Sequence, residues 1–578
     1  MNKTKLVRRK LPELHPEFSN DIPTLLQRIY ALRGVTSSKE IDYAARNLSN
    51  YDQLNGIDKA VEIIYSAMKN NQRIMIVGDF DTDGATSTAL AVRALKQMGC
   101  QFVDYIIPDR FEDGYGLSIE VVKKAISSKA DLIITVDNGI SAIEAVEFAK
   151  QANLPVIITD HHLCPNPLPS ADAIINPNLP DCTFPSKNLA GVGVTFYLML
   201  ALRAKLRQEN WFNDNQLAEF NIANLLDLVA LGTIADVVKL DHNNRILVHQ
   251  GVSRIRFGYC CVGIKALLQV AKKDCCSCNA TDLAFYIAPR LNAAGRMDNM
   301  SLGVELLLCD HPDTALNLAT DLNNLNNDRK LIEQTMHQEA LSFIEKMENE
   351  KTSIPHFLVV YHPEWHQGII GILSSRLKEK YHRPVISFAS TQDGFLKGSG
   401  RSIKGIHLRD LLDELQHLHP ELMVSFGGHA MAVGLTIHEN DLSRFTACVE
   451  ALLLKRLDDK LLETVIETDG EIDGQDFNYS IAKQLKDSGP WGEGFPEPIF
   501  DGEFIIHQQR LLADKHLKLV LEPKNGGPII DGIAFNVDRL EWPDLSIKQA
   551  KVVYHLDVDE FRGNQAAKLL IRHLWPIA

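Results

Sequence analysis

Between Arg73 and Asp160 the chain alternates short aliphatic runs with longer amphipathic stretches. The runs Arg73–Gly78 (RIMIVG), Phe102–Pro108 (FVDYIIP), Asp131–Val136 (DLIITV) and Pro155–Thr159 (PVIIT) are apolar on both faces, as strands of a buried parallel sheet are. Helices fit between them, over Ala85–Met98, Ser118–Ser128 and Ser141–Gln151. A more helical portion is expected from about Leu189 to Cys309. From Pro312 to Glu350 no further Pro or Gly interrupts a run rich in Leu, Asn, Glu, Lys and Gln. A continuous helix there would reach roughly 55 Å, enough to hold two domains apart. A second α/β segment opens at His356 (HFLVVY) and runs to about Leu454. From Asp501 onward short strands such as Glu503–Ile506, Leu517–Leu521, Ile529–Asn536 and Val552–Val558 predict a small β-barrel.

At 578 residues the chain is too long for one core. The pattern divides it into an N-terminal extension (1–50), a sheet-bearing domain (51–310), a connecting helix (311–352), a second α/β domain (353–456) and a barrel domain with its lead-in (457–578). Hydrophobic residues at 45% and charged residues at 23% are ordinary for a globular protein. The start, Met1 to Lys10, is basic but has no apolar run, and no stretch of about 18 apolar residues occurs, so neither a signal peptide nor a membrane span is expected. Ten scattered cysteines fit free thiols in a reducing cytoplasm better than a disulfide framework. The net charge of −14 argues against a protein that coats nucleic acid non-specifically. It leaves open an enzyme that grips a few phosphates and spends carboxylates on metal ions.

Candidate chemistry sits just beyond the strands. Asp79-Phe80-Asp81-Thr82-Asp83-Gly84 follows the first strand, Asp137-Asn138-Gly139 a later one, and Asp160-His161-His162 the next. Carboxylates so close repel unless cations lie between them. The first cluster begins like a calcium-binding EF-hand loop, but Leu90 holds the twelfth position where that loop needs Glu. A fourth carboxylate, Asp236 in GTIADVV, ends an apolar helix. Any one cluster could be a turn or a helix cap. Their shared placement at strand carboxyl ends, where open parallel sheets bind ligands, points to one site. Carboxylates with one or two imidazoles suit Mn²⁺ or Mg²⁺, with Mn²⁺ favoured by the histidines. Two such ions support phosphoryl hydrolysis without a covalent intermediate.

These four segments resemble the motifs of the DHH phosphoesterase superfamily, the third supplying its name. Further markers match its single-strand-specific exonuclease branch over nearly the whole chain: PDRF with GYG (108–116), LAGVGV (189–194), APRLNAAGRM (288–297), WHQGIIG (365–371), GSGRS (398–402), GGHAMAVG (427–434) and GPWGEGFPEP (489–498). The resemblance implies an α/β fold: a parallel-sheet phosphoesterase domain, a long connecting helix, a second α/β domain and an OB-like barrel. It implies that Asp79, Asp81, Asp83, Asp137, His161 and Asp236 hold two divalent ions, with Asp137 bridging. His162 is then either a ligand or a donor to the scissile phosphate, and Asp160 orients an imidazole. Arg110, Ser399 and Arg401 would grip a terminal 5′ phosphate, helped by the backbone at Gly398 and Gly400. Arg290 and Asn292 would line the DNA path, Arg296 would support that loop, and His429 would face the active cleft from the second domain. Phe500, Phe535, Tyr554 and Phe561 are candidate stacking faces, about half of them barrel core.

The implied activity is 5′→3′ exonucleolytic hydrolysis of single-stranded DNA, releasing nucleoside 5′-monophosphates, in recombinational and mismatch repair. A helicase and a single-strand-binding protein are partners implied by the resemblance alone. Two alternatives remain: a relative acting on short oligonucleotides or cyclic dinucleotides, which generally lacks the barrel, and a non-catalytic DNA-binding scaffold, which loses carboxylates. Cys275-Cys276-Ser277-Cys278, with Cys260-Cys261 upstream, lacks paired metal-site spacing and reads as loop cysteines.

Overall fold

The computed structural model describes residues 4–577 except 14–15, 111–112, 352–353, 392, 514, 538–541, 543 and 560–564. The chain forms two compact units, one of residues 7–323 with 467–578 and one of residues 324–466 with the first few residues.

In the first unit, β1 (Ile74–Val77), β2 (Val103–Ile106), β3 (Leu132–Val136), β4 (Val156–Thr159) and β5 (Ala173–Ile175) form an all-parallel sheet in the order β2-β1-β3-β4-β5. Every residue of β1, β3 and β4 is buried, as their uninterrupted aliphatic runs require. Each such side chain contributes roughly 1.5–3 kcal/mol by leaving water. The helices α1 (Thr82–Gln97), α2 (Ile119–Ser127) and α3 (Ile143–Gln151) follow the first, second and third strands. The order reverses between β1 and β3, so the crevice beyond their carboxyl ends is the switch point where such sheets bind ligands. Behind it lie α4 (Gly191–Gln208), α5 (Leu226–Ala235), α6 (His242–Arg256) and α7 (Ala288–Met297). The strand β5 was not expected; three residues are too few to show a pattern.

The long helix is α8, Pro312–Lys351, uninterrupted over 40 residues. In the second unit a five-stranded mixed sheet has β6 (Leu358–His362), β7 (Val385–Ser390), β8 (Phe395–Arg401), β9 (Ser425–Gly428) and β10 (Ala432–His438) in the order β9-β10-β8-β7-β6. Helices α9 (Ile370–Tyr381), α10 (Leu408–Leu418) and α11 (Leu442–Leu454) accompany it. Phe388, Leu412, Ile437 and Phe445 lie in its core.

The C-terminal part of the first unit is a closed barrel. Its strands β11 (Phe500–Leu512), β12 (His516–Pro523), β13 (Ile530–Ala534), β14 (Gln549–Asp559) and β15 (Ala566–Pro576) run in the order β11-β12-β13-β15-β14. Closure leaves no exposed sheet edge. Phe500 and Tyr554 are fully buried inside it, so neither is a stacking face; Phe535 is exposed, and Phe561 lies outside the described residues.

Candidate metal centre

The first cluster ends β1 and starts α1. Asp81 is the N-cap of α1, its side chain accepting the Gly84 N–H at 3.0 Å. Its neighbours are thereby turned in opposite senses. Asp79 lies on the sheet side, where Gly84 must lack a Cβ because one would come within 2.6 Å of the Asp79 backbone. Asp83 lies on the helical side, accepting Gly191 N–H at 2.7 Å and Val192 N–H at 3.0 Å. It therefore caps α4, a helix more than a hundred residues away in sequence.

Asp137 follows β3 in the left-handed conformation, with φ 64°. It stands against the N-terminus of α4, where a Cβ on Gly191 would lie 2.4 Å from its own Cβ. The next residue, Asn138, closes the switch point. Its Nδ2 donates to Val77 O, Gly78 O and Val136 O at 2.9–3.0 Å, and its Oδ1 accepts Leu117 N–H. No role was expected for this residue, because Asn before Gly reads as a turn; only the pairing of β1 with β3 shows what it fastens.

Asp160 follows β4 and organises both histidines. One oxygen accepts the His161 N–H at 2.7 Å, the His162 N–H at 3.1 Å and the His162 Nδ1–H at 2.7 Å, while the other accepts Ile140 N–H. His162 Nε2 thereby faces outward, 3.4 Å from Tyr115 Oη. His161 is more deeply set, its Nε2 3.1 Å from Asp137 Oδ1 and 3.5 Å from Asp236 Oδ2. Asp236 arrives from the C-terminal end of α5. Arg110 lies over the Phe80 ring at 4.0 Å, its Nε without a hydrogen-bond partner among the described residues, and Tyr115 meets the same ring edge-on. The residue after Arg110, Phe111, is outside the described residues.

Three groups of side chains have ligand atoms mutually within 4.8 Å: Asp137 with His161 and His162, Asp83 with His161 and Asp236, and Asp79 with Asp81 and Asp137. Asp137 and His161 each belong to two groups; the Asp137 carboxylate is able to bridge neighbouring ions, whereas the His161 imidazole can go to one of them only. Burial, and then the like charges of Asp81, Asp83 and their neighbours, push the Asp79, Asp137 and Asp236 carboxyls far above the usual carboxylate range. Asp83 is pushed to about 7 by burial and by Asp81. Asp79 Oδ1 and Asp137 Oδ1 are buried without a hydrogen-bond donor among the described residues. Buried carboxylates without donors need cations, and this donor set of oxygen with imidazole fits Mn²⁺ or Mg²⁺. Among the described residues no group close enough to hold an ion contains a cysteine; all ten thiols are free.

The other expected residues divide. Arg290 and Asn292 make hydrogen bonds within the fold. Arg290 donates to Tyr286 O and Asn323 Oδ1, and Asn292 Oδ1 accepts the Thr82 N–H and hydroxyl, both at 2.9 Å, steadying the start of α1. In the second unit Ser399 and Arg401 share one face of β8. Arg401 Nη1 donates to Ser399 Oγ at 3.2 Å and to Gly400 O, and burial pulls its pKa down, with no carboxylate among the described residues to offset it. Gly371, in the first turn of α9, borders them: a Cβ there would lie 3.0 Å from Ser399 Oγ and 3.1 Å from Arg401 Nη2. A guanidinium, a hydroxyl and a helix N-terminus together suit an anion. Gly398 and Gly400 do not serve it. They point into the core, where a Cβ would strike Phe388 or Val433, and their strand pairs on both sides with β7 and β10. His429 closes the β9–β10 turn, its N–H donating to Ala432 O at 2.8 Å.

A parallel sheet carrying this carboxylate and imidazole cluster at its switch point defines a metal-dependent phosphoesterase of the DHH class: residues 73–233 match the DHH family, N-terminal domain, and 355–455 the DHHA1 domain. Residues 468–573 match the RecJ OB domain. The chain is 53% identical to "Single-stranded-DNA-specific exonuclease RecJ" of Escherichia coli, over 99% of both chains. The same-named protein of Haemophilus influenzae is 50% identical, again over 99% of both. The chain belongs to the RecJ family. Among solved structures it is similar to RecJ of Thermus thermophilus in complex with Mn²⁺, with a TM-score of 0.77, 26% identity and coverage of 98% of this chain and 80% of that one.

Proposed function

We propose that the protein is a single-strand-specific DNA exonuclease that hydrolyses phosphodiester bonds from the 5′ end and releases nucleoside 5′-monophosphates. The observation that carries the reading is the membership of Asp137 in two ligand groups, within a cage where Asp79 Oδ1 and Asp137 Oδ1 accept no hydrogen bond among the described residues. In this reading Asp79, Asp81, Asp83, Asp137, His161 and Asp236 hold two divalent ions. Such a pair, when bound, polarises the phosphoryl group and makes water acidic enough to attack in line. His162 sits at the rim rather than between carboxylates. Burial opposes its charge, but its hydrogen bond to Asp160 prevails and holds its pKa up at about 9. Asp160 aims its Nε2 outward through the Nδ1–H hydrogen bond, so His162 serves either as a further ligand or as a donor to a phosphoryl oxygen. Ser399 and Arg401 hold the terminal 5′ phosphate, which selects a chain end over an internal bond. Arg296 is assigned to supporting the segment that carries Arg290 and Asn292.

The relatives' names support DNA as substrate, and the family barrel supports single strands. A cytoplasmic place in repair and recombination, beside a helicase and a single-strand-binding protein, follows the same likeness. The free thiols agree with that compartment. Among the described residues no helix is long and apolar enough to cross a membrane.

The test is a time course on end-labelled single and double strands with Mn²⁺, Mg²⁺ or chelator. Mononucleotides from the 5′ end of single strands are expected, with none in chelator. Asp137→Ala should abolish hydrolysis while strand binding persists. Preference for dinucleotides, or undiminished cleavage by Asp137→Ala, would overturn the assignment.

A further inference from the structure

Two unusual pieces of backbone border one cavity beside Asp236. The first is Val237, which follows Asp236 at the end of α5 with φ 60°, a left-handed conformation that a β-branched residue rarely takes. Helices usually place glycine there. Val237 is nevertheless 64% exposed, so no packing contact repays the strain. The second is a π-helical turn over Leu283–Ile287, just before α7. Such turns are rare and gather at functional sites. This one carries Phe285, which is 72% exposed.

Val237, Phe285, Pro289 and Trp491 line a cavity of about 350 Å³, within the range of small-ligand sites. The charged residues on its wall are Glu493 and Glu497. Carboxylates repel phosphate, and the remaining surface is largely apolar, so the cavity suits the uncharged face of a nucleotide. It adjoins segments of the metal cluster in two ways. Ala235 and Val237, on either side of Asp236, both line it. Asn292, on its wall, holds the start of α1, and α7 packs so tightly on the first cluster that a Cβ on Gly295 would lie 1.8 Å from Phe80 O. Its far wall is rigid: Trp491 stacks on Phe495 with centroids 5.2 Å apart, and Glu493 O accepts the Leu240 N–H. That wall is the GPWGEGFPEP segment, to which the metal chemistry gives no part.

We infer that this cavity is a base-binding subsite, in which Val237 and Phe285 clamp an unpaired nucleobase adjoining the scissile phosphate without reading its identity. The inference rests on the exonuclease reading. It gives single-strand preference a local cause, since a paired base cannot turn into a pocket while stacked in a duplex.

The experiment is a cycle between enzyme and substrate. KM is measured for wild type and Phe285→Ala on 5′-phosphorylated single strands bearing one abasic site, moved a nucleotide at a time from the 5′ end. At one position the missing base should raise the wild-type KM about tenfold, the size of one base-stacking contact. Phe285→Ala should raise KM similarly on intact DNA, and at that one position the abasic site should cost it nothing more. Val237→Gly should lose the same coupling while its melting temperature rises, because glycine relieves the left-handed strain. Penalties that multiply at every position would overturn the subsite while leaving the exonuclease standing. A wild type that degrades no single strand would remove both.

Discussion

At the residue scale, the site depends on where side chains are missing as much as on where they are present. Asp137 can reach the cluster only because Gly191 leaves room at the head of α4. Gly191→Ala would drive a methyl to 2.4 Å from the Asp137 Cβ, within a helix whose first N–H groups are already held by Asp83. Either Asp137 or the start of α4 must move. A shift near 1 Å at a reacting centre costs on the order of 10²-fold in rate. Gly191→Ala is therefore expected to keep the fold, lose about that much kcat and bind Mn²⁺ more weakly by calorimetry. Wild-type activity and metal affinity in that variant would show that the tight approach is not functional.

At the element scale, the sequence could show periods but not pairings. Uninterrupted aliphatic runs marked β1, β3 and β4, and the motifs fell where expected because loops after parallel strands share one edge. The joint use of Asp137 by two ligand groups, the clamp made by Asn138 and the capping of α4 by Asp83 all join segments far apart in sequence, so no local pattern carries them. The strand β8 shows the reverse error. GSGRS was expected to bring the backbone at Gly398 and Gly400 to the phosphate, but residues 398–401 end a strand with alternating faces, its glycines forced by Phe388 and Val433 and its Ser399 and Arg401 left on the other side. Among the described residues Arg401 has no carboxylate partner to satisfy it, which is the condition of a residue awaiting an anion. Arg401→Ala should therefore reduce the preference for 5′-phosphorylated over unphosphorylated strands by roughly 10- to 100-fold, as charge-assisted hydrogen bonds of about 1.5–3 kcal/mol imply. Equal losses on both substrates, read as kcat/KM, would place the phosphate elsewhere.

At the scale of the whole molecule, the chain concentrates part of its net charge of −14 in one buried cage, and folding must bear the repulsion. The consequence for stability has a definite sign. Burial, then neighbouring charge, raises Asp79, Asp137 and Asp236, and raises Asp83 to about 7, whereas an unfolded Asp titrates near 3.8. The folded state therefore holds more protons between about pH 4 and 7, and its stability falls as pH rises through that window. His162, at about 9 against an ordinary 6.5, adds stability below pH 6.5 that is lost through pH 9, which extends the decline. Asp160 opposes it: burial alone would raise this carboxyl, but the His162 hydrogen bond holds it low, so its contribution disappears only in stronger acid. Cations replace the missing protons. In chelator the melting temperature should drop from pH 5 to pH 8, and saturating Mn²⁺ should raise it at both pH values but more at pH 8. At a hundred times the dissociation constant the ion contributes about 2.7 kcal/mol per site. Because protons compete for the same oxygens, that concentration must itself climb as pH falls. A manganese shift of equal size at pH 5 and pH 8, measured by calorimetry, would mean that the cage is not where the ions bind.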